Sequence, residues 1–243
     1  MDGDKGPDWL HEAAVTIRDE AVRFMVTVLQ CTRHPRRFAA AWFAGDSRAP
    51  NPIGYVSTAL AVTAAATAVT GALVGRNSDD GLWSSLATAT LPYAYYALLG
   101  VLCHAVLWLS GTARPLRASL AIALYIGGGP GLLLTLALDL DLLLHHALTG
   151  HVRFEPGLAD TPRWAHSILM GLALGTSALF MMALASAFRA LHGGSRFRAI
   201  AAIVIALVVS GLLLGALHAA FEFGLGVPHY VIYTGPPWVD LWF

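Results

Sequence analysis

The chain has 243 residues, of which 56% are hydrophobic and only 12% charged, whereas soluble domains carry about 25% charged residues. Lipid rather than water is therefore the expected solvent. A formal net charge of zero lacks the electrostatic footprint of a nucleic-acid binder, and the two cysteines, Cys31 and Cys103, form neither a disulfide framework nor a metal-ligand spacing.

The start of the chain is acidic and polar, without the basic opening and short apolar core of a signal peptide, so the first span is expected to serve as an uncleaved anchor. Residues 8–30 read as an amphipathic helix. Leu10, Ala13, Ala14, Ile17, Ala21, Phe24, Met25, Val28 and Leu29 recur at spacings of three and four, and Glu12, Thr16, Asp19, Glu20, Arg23 and Thr27 fill the opposite face. Such a helix is too charged to span and is expected to lie on the membrane surface or on the bundle. Residues 35–44 are expected to form a second, shorter interfacial segment, with Phe38, Trp42 and Phe43 at headgroup level beside Arg36 and Arg37; the other reading is a polar linker with a few buried aromatics.

Five apolar runs follow, at about residues 53–75, 84–109, 117–138, 164–190 and 197–223. Each reaches the ~20 residues that cross a hydrocarbon core. In lipid the backbone must close its hydrogen bonds within each segment, which selects helices. The expected fold is all-α: a polytopic transmembrane bundle of five spans at 51–225, an amphipathic arm at 1–50, and an aromatic tail at 226–243 anchored by Trp238 and Trp242. No internal repeat of the inverted-transporter kind is visible.

Orientation follows from the basic residues. Twelve of the 15 Lys and Arg fall on one side: Lys5, Arg18, Arg23, Arg33, Arg36, Arg37, Arg48, Arg114, Arg117, Arg189, Arg196 and Arg198. Arg76, Arg153 and Arg163 fall on the other. The positive-inside rule then places the N-terminus in the cytoplasm and the C-terminus outside, as a multi-pass protein of the cell inner membrane. Four spans carry Gly-x-x-x-Gly pairs, namely Gly71/Gly75, Gly127/Gly131, Gly171/Gly175 and Gly211/Gly215. Close packing within the bundle is the expectation for them, rather than a dimer interface.

The stretch from His104 to Leu134 reads HAVLWLSGTARPLRASLAIALYIGGGPGLLL. It has a histidine late in one span, a short loop with Gly and Arg, then Ser119 opening a span with Tyr125 and Pro130. Upstream stand His34-Pro35, Arg37-Phe38 and Asn51-Pro52. This layout resembles the Yip1-domain family. It departs from that family in having Gly111 alone in the loop and in lacking an Asp-Leu-Tyr-Gly-Pro signature. The resemblance implies a non-enzymatic membrane scaffold or accessory subunit, with Arg114 and Arg117 contacting partner subunits or anionic lipid.

Two other functions are open to the residues. Gly127, Gly128, Gly129, Pro130 and Gly131 could break the third span and expose carbonyls to a transported ion or solute. A metal- or pigment-binding subunit of an energy-converting complex could use His166, His218 and Glu222 near the outer side, or His104 as a single axial ligand. The sequence specifies no cofactor. Hydrolase, Walker and dinucleotide motifs do not occur. The bilayer and other membrane subunits are the expected partners.

Overall fold

The computed structural model describes residues 8–75, 81–112, 114–150 and 163–224. Among them the chain is helical without strands: α1 (Asp8–Arg33), α2 (Pro35–Ala44), α3 (Pro52–Leu73), α4 (Gly81–Leu109), α5 (Leu116–Thr149), α6 (Arg163–His192) and α7 (Arg196–Gly224). Five segments are long and apolar enough to cross a bilayer: Pro52–Leu73, Thr90–Leu109, Leu116–Leu148, Leu174–His192 and Arg196–Leu217. The protein is a multi-pass membrane protein built on five helices. The aromatic tail at 226–243, with Trp238 and Trp242, lies outside the described residues.

Helix starts follow local chemistry. Asn51 caps α3, its Oδ1 accepting the Gly54 N–H at 2.7 Å with Pro52 in the first turn. The cap satisfies a donor that the helix cannot, and the proline costs no hydrogen bond there. Replacing Asn51 with Ala is expected to cost about 1 kcal/mol, read as a lowered thermal midpoint in detergent.

Helix α5 is the axis of the bundle and packs against α1, α3, α4 and α6. Its 34 residues rise about 51 Å, well beyond a hydrocarbon core of about 30 Å. The span expected to stop at 138 continues through Asp139, Asp141 and His145, all buried. A polar group can stay within a helix when it faces inward and finds a partner. Asp139 does so, its Oδ2 accepting from the Thr67 hydroxyl of α3 at 3.4 Å.

The segment Gly127–Gly131 does not break α5: of the two readings, an interrupted span and a Pro-containing helix packed on its neighbours, the helix is continuous. The helix runs through Pro130, which forfeits a single backbone donor. The glycines instead admit tyrosines. A Cβ on Gly127 would enter the ring of Tyr96, and one on Gly128 would enter the ring of Tyr55. The Tyr55 hydroxyl donates to the Tyr125 carbonyl at 3.2 Å. Of the four glycine pairs, Gly127/Gly131 alone is shown in close helix contact. Gly71, Gly75, Gly171, Gly175 and Gly211 have no neighbour within 4 Å of an added Cβ among the described residues, so the close approach expected of them is not seen there.

The arm α1–α2 is docked on the bundle. Phe24 packs on Tyr55 with ring centroids 5.0 Å apart, and Phe38 and Trp42 pack edge-on against Tyr125 at 5.2 and 5.9 Å. Tyr125 also donates its hydroxyl to the Pro50 carbonyl. Phe38 is thus a core residue, 4% exposed, and not a headgroup anchor, because α2 lies along α6 and turns it inward. Trp42 is half-buried, and Phe43 stays exposed.

The docked face of α1 differs from the periodicity reading. Phe24, Thr27 and Cys31 turn inward, while Val22, Met25, Val26 and Leu29 are exposed. Thr27 tolerates burial because its hydroxyl bonds back to the Arg23 carbonyl at 2.8 Å. Burial pushes the Cys31 thiol far above its ordinary range. It stays protonated and is therefore a poor nucleophile.

Candidate functional site

Three helix ends and one loop meet at the end of the bundle that carries most of the arginines. Helix α4 brings His104, the loop after it brings Thr112 and Arg114, α5 opens with Ser119, and α6 closes with His192. Gly193 and Gly194, with φ of 71° and 88°, then turn the chain into α7. Consecutive left-handed residues of this kind are accessible to glycine at little cost.

The side chains form a continuous hydrogen-bonded chain. Thr112 Oγ1 lies 3.1 Å from His192 Nδ1, His192 Nε2 lies 2.8 Å from Ser119 Oγ, and Ser119 Oγ lies 3.0 Å from His104 Nδ1. Ser119 is 0% exposed and His192 9%. A hydroxyl has one proton to give, so Ser119 donates to one imidazole and accepts from the other. The whole chain is therefore polarised in one direction or the reverse, with both histidine tautomers coupled through Ser119. The His104 and His192 ring centroids are 5.9 Å apart, and Phe188 packs against His192 at 5.7 Å.

Arg114 fastens the loop over this chain. Its Nε donates to the Leu191 carbonyl at 2.9 Å, and its guanidinium sits 4.4 Å from the centroid of Phe43. A cation bonded to a last-turn carbonyl also opposes the helix dipole. Arg114, expected to reach outward to lipid or partners, also braces the protein's own α6 and α2, while its side chain stays exposed. Arg117 is exposed and has no ion-pair partner among the described residues.

His104, read as a candidate axial ligand, has Nδ1 committed to Ser119, which leaves Nε2 for any ligand. The side chains of His166, His218 and Glu222 lie outside the described residues. Among the described residues no group of three or more His, Cys, Asp or Glu could hold a metal ion. His192 and Thr112 were not singled out from the sequence. The available signal was topological: the basic-residue count had already put the 110–116 and 191–196 loops on one side.

A second feature of this end is an open groove of about 820 Å³ between α1 and α2. Arg23, Arg37 and Arg48 line it with the apolar Val22 and Val26, and Asp46 is the acidic member. Arg23 is already paired with Glu20 at 3.0 Å, whereas Arg37 and Arg48 have no ion-pair partner among the described residues. Comparison with protein-family models, with curated proteins and with solved structures gives no match, so the reading of this chain rests on its own geometry.

Proposed function

We propose that this chain is a non-enzymatic scaffold or accessory subunit of an inner-membrane complex, in the manner of the Yip1-domain family, and that its arm is the docking platform. The carrying observation is the groove of about 820 Å³ between α1 and α2, held on a fixed base. Phe24, Phe38 and Trp42 clamp the arm to Tyr55 and Tyr125, so a partner meets a preformed surface and pays little ordering entropy. Val22, Met25, Val26 and Leu29 lie exposed beside it, and two arginines are free to meet carboxylates. The partner is another membrane subunit with an acidic segment. The His104–Ser119–His192–Thr112 chain, buried at its last three members, supports this reading as a clasp that holds the helix ends in register.

The platform faces the cytoplasm in this proposal. Cysteines placed at Ser110 and Ala147 test the orientation. An impermeant maleimide on intact cells is expected to label Ala147→Cys and to spare Ser110→Cys until the membrane is opened. Cys31 and Cys103 are buried and should give no background. Labelling of Ser110→Cys in intact cells would reverse the topology.

The platform itself is tested by a photo-crosslinking residue at Val26. A discrete adduct with one membrane protein is expected, and Arg37→Glu with Arg48→Glu should abolish it without changing the thermal midpoint. Adducts with lipid alone, or a protein adduct indifferent to the charge reversal, would remove the scaffold reading.

A further inference from the structure

On the other side of α2 a second groove, of about 510 Å³, runs between α2, α6 and α7. That volume is within the usual range for small-molecule sites, about 300–1,000 Å³. Three guanidinium groups line it: Arg36 from α2, Arg189 from the last turn of α6 and Arg196 from the first turn of α7. All three are exposed. None is paired with a carboxylate among the described residues, whose ion pairs are Arg18–Asp19 and Arg23–Glu20 on α1. No Asp or Glu is among the groove's lining residues, and Ser186 adds a hydroxyl.

The rest of the wall is apolar. Met181 and Met182 come from α6, and Ile200, Val204 and Leu207 from α7. The turn at Gly193 and Gly194 sets Arg189 and Arg196 at one end of the hairpin. Met181 precedes Arg189 by eight residues, and Leu207 follows Arg196 by eleven. At about 1.5 Å per residue, the apolar trough extends roughly 12–16 Å from the cations into the spans.

Cations gathered at a span end, with an apolar trough leading away into the bilayer, match an anionic amphiphile. A free anion would leave the trough unfilled. A neutral lipid would leave three positive charges uncompensated. Guanidinium groups bind phosphate oxygens in bidentate geometry, and basic pockets between membrane helices recognise anionic headgroups. We propose that this groove binds an anionic phospholipid, with the phosphate among Arg36, Arg189 and Arg196 and one acyl chain laid along α6 and α7. The site shares no residue with the α1–α2 groove, so it stands or falls separately from the scaffold proposal.

The test is titration of the purified chain in neutral detergent with phosphatidylglycerol or phosphatidylcholine. Native mass spectrometry counts bound lipid, and thermal melting reports stabilisation. Phosphatidylglycerol is expected to be retained at least roughly tenfold more strongly, and each of Arg36→Gln, Arg189→Gln and Arg196→Gln to weaken it about fivefold. Val204 is 52% exposed in the trough. Val204→Trp should weaken retention with no change of charge. Arg33→Gln and Arg198→Gln, exposed but outside the groove, should leave retention unchanged. Equal retention of the two lipids would overturn the proposal, as would equal losses from the variants outside the groove. Full stabilisation by glycerol phosphate without a chain, or undiminished retention by Val204→Trp, would overturn the acyl placement and with it the site as described.

Discussion

Alanine at Gly127 or Gly128 is expected to cost about 3 kcal/mol, while alanine at Gly171 or Gly211 is expected to be neutral or to stabilise by up to about 1 kcal/mol. The sign changes because the same residue meets different surroundings. A Cβ on Gly127 would enter the ring of Tyr96. That ring cannot retreat: Tyr96 is 7% exposed, with Phe180 packed at 4.6 Å and Tyr93 at 6.2 Å between centroids. A Cβ on Gly128 would strike Tyr55, which is 0% exposed and bonded to the Tyr125 carbonyl. At Gly171 and Gly211 nothing among the described residues lies within 4 Å of an added Cβ, and the helix gains the entropic advantage of alanine. Thermal melting of the four variants in one detergent decides the matter. Tyr96→Leu should return part of the stability lost in Gly127→Ala, since neighbours of this kind are not additive. Four alanine variants melting alike would show that the tyrosines do not approach α5 as described.

The same glycines show where the sequence stops informing. All four Gly-x-x-x-Gly pairs look equivalent along the chain. What separates Gly127/Gly131 from the rest is the residue opposite, and Tyr96 and Tyr55 stand far from it in sequence. The five spans were legible because a bilayer demands long unbroken apolar helices, a constraint written locally in composition. Their ends were less so. Asp139 and Asp141 read as a span boundary, yet α5 continues because those side chains turn inward.

Aromatic residues beside arginines carried a similar ambiguity. Phe38, Trp42 and Phe43 have the composition of an interfacial anchor. Phe38 instead fills the core because Tyr125, on a distant helix, provides its packing partner. The polar chain was half visible. His104 and Ser119 belong to one stretch of sequence, and the charge count placed the loop of Thr112 near the loop of His192. Which side chains face one another depends on helix rotation, and an apolar helix, lacking a polar face, has no periodicity to reveal it.

Ser119→Ala is expected to destabilise the protein by about 3 kcal/mol, and Thr112→Ala by about 1 kcal/mol. Ser119 is the central member and serves both imidazoles, so its removal leaves His104 Nδ1 and His192 Nε2 without that partner. Thr112 serves His192 alone. Hydrogen bonds between membrane helices average only about 0.6 kcal/mol, because the helices find other partners when separated. The larger figure applies here because the cost comes from stranding two polar atoms, Nε2 of the buried His192 and Nδ1 of the half-buried His104, not from the bonds themselves. His192→Phe keeps the contact with Phe188 and removes both polar atoms of the ring. If the chain acts as a unit, adding His192→Phe to Ser119→Ala should cost clearly less than the sum of the two, with a coupling of about 1 kcal/mol or more. Strict additivity in that cycle, measured by thermal or denaturant unfolding in detergent, would mean that the four groups do not clasp the helix ends together. The rigidity asked of the docking platform would then have to come from the aromatic contacts of α1 and α2 alone.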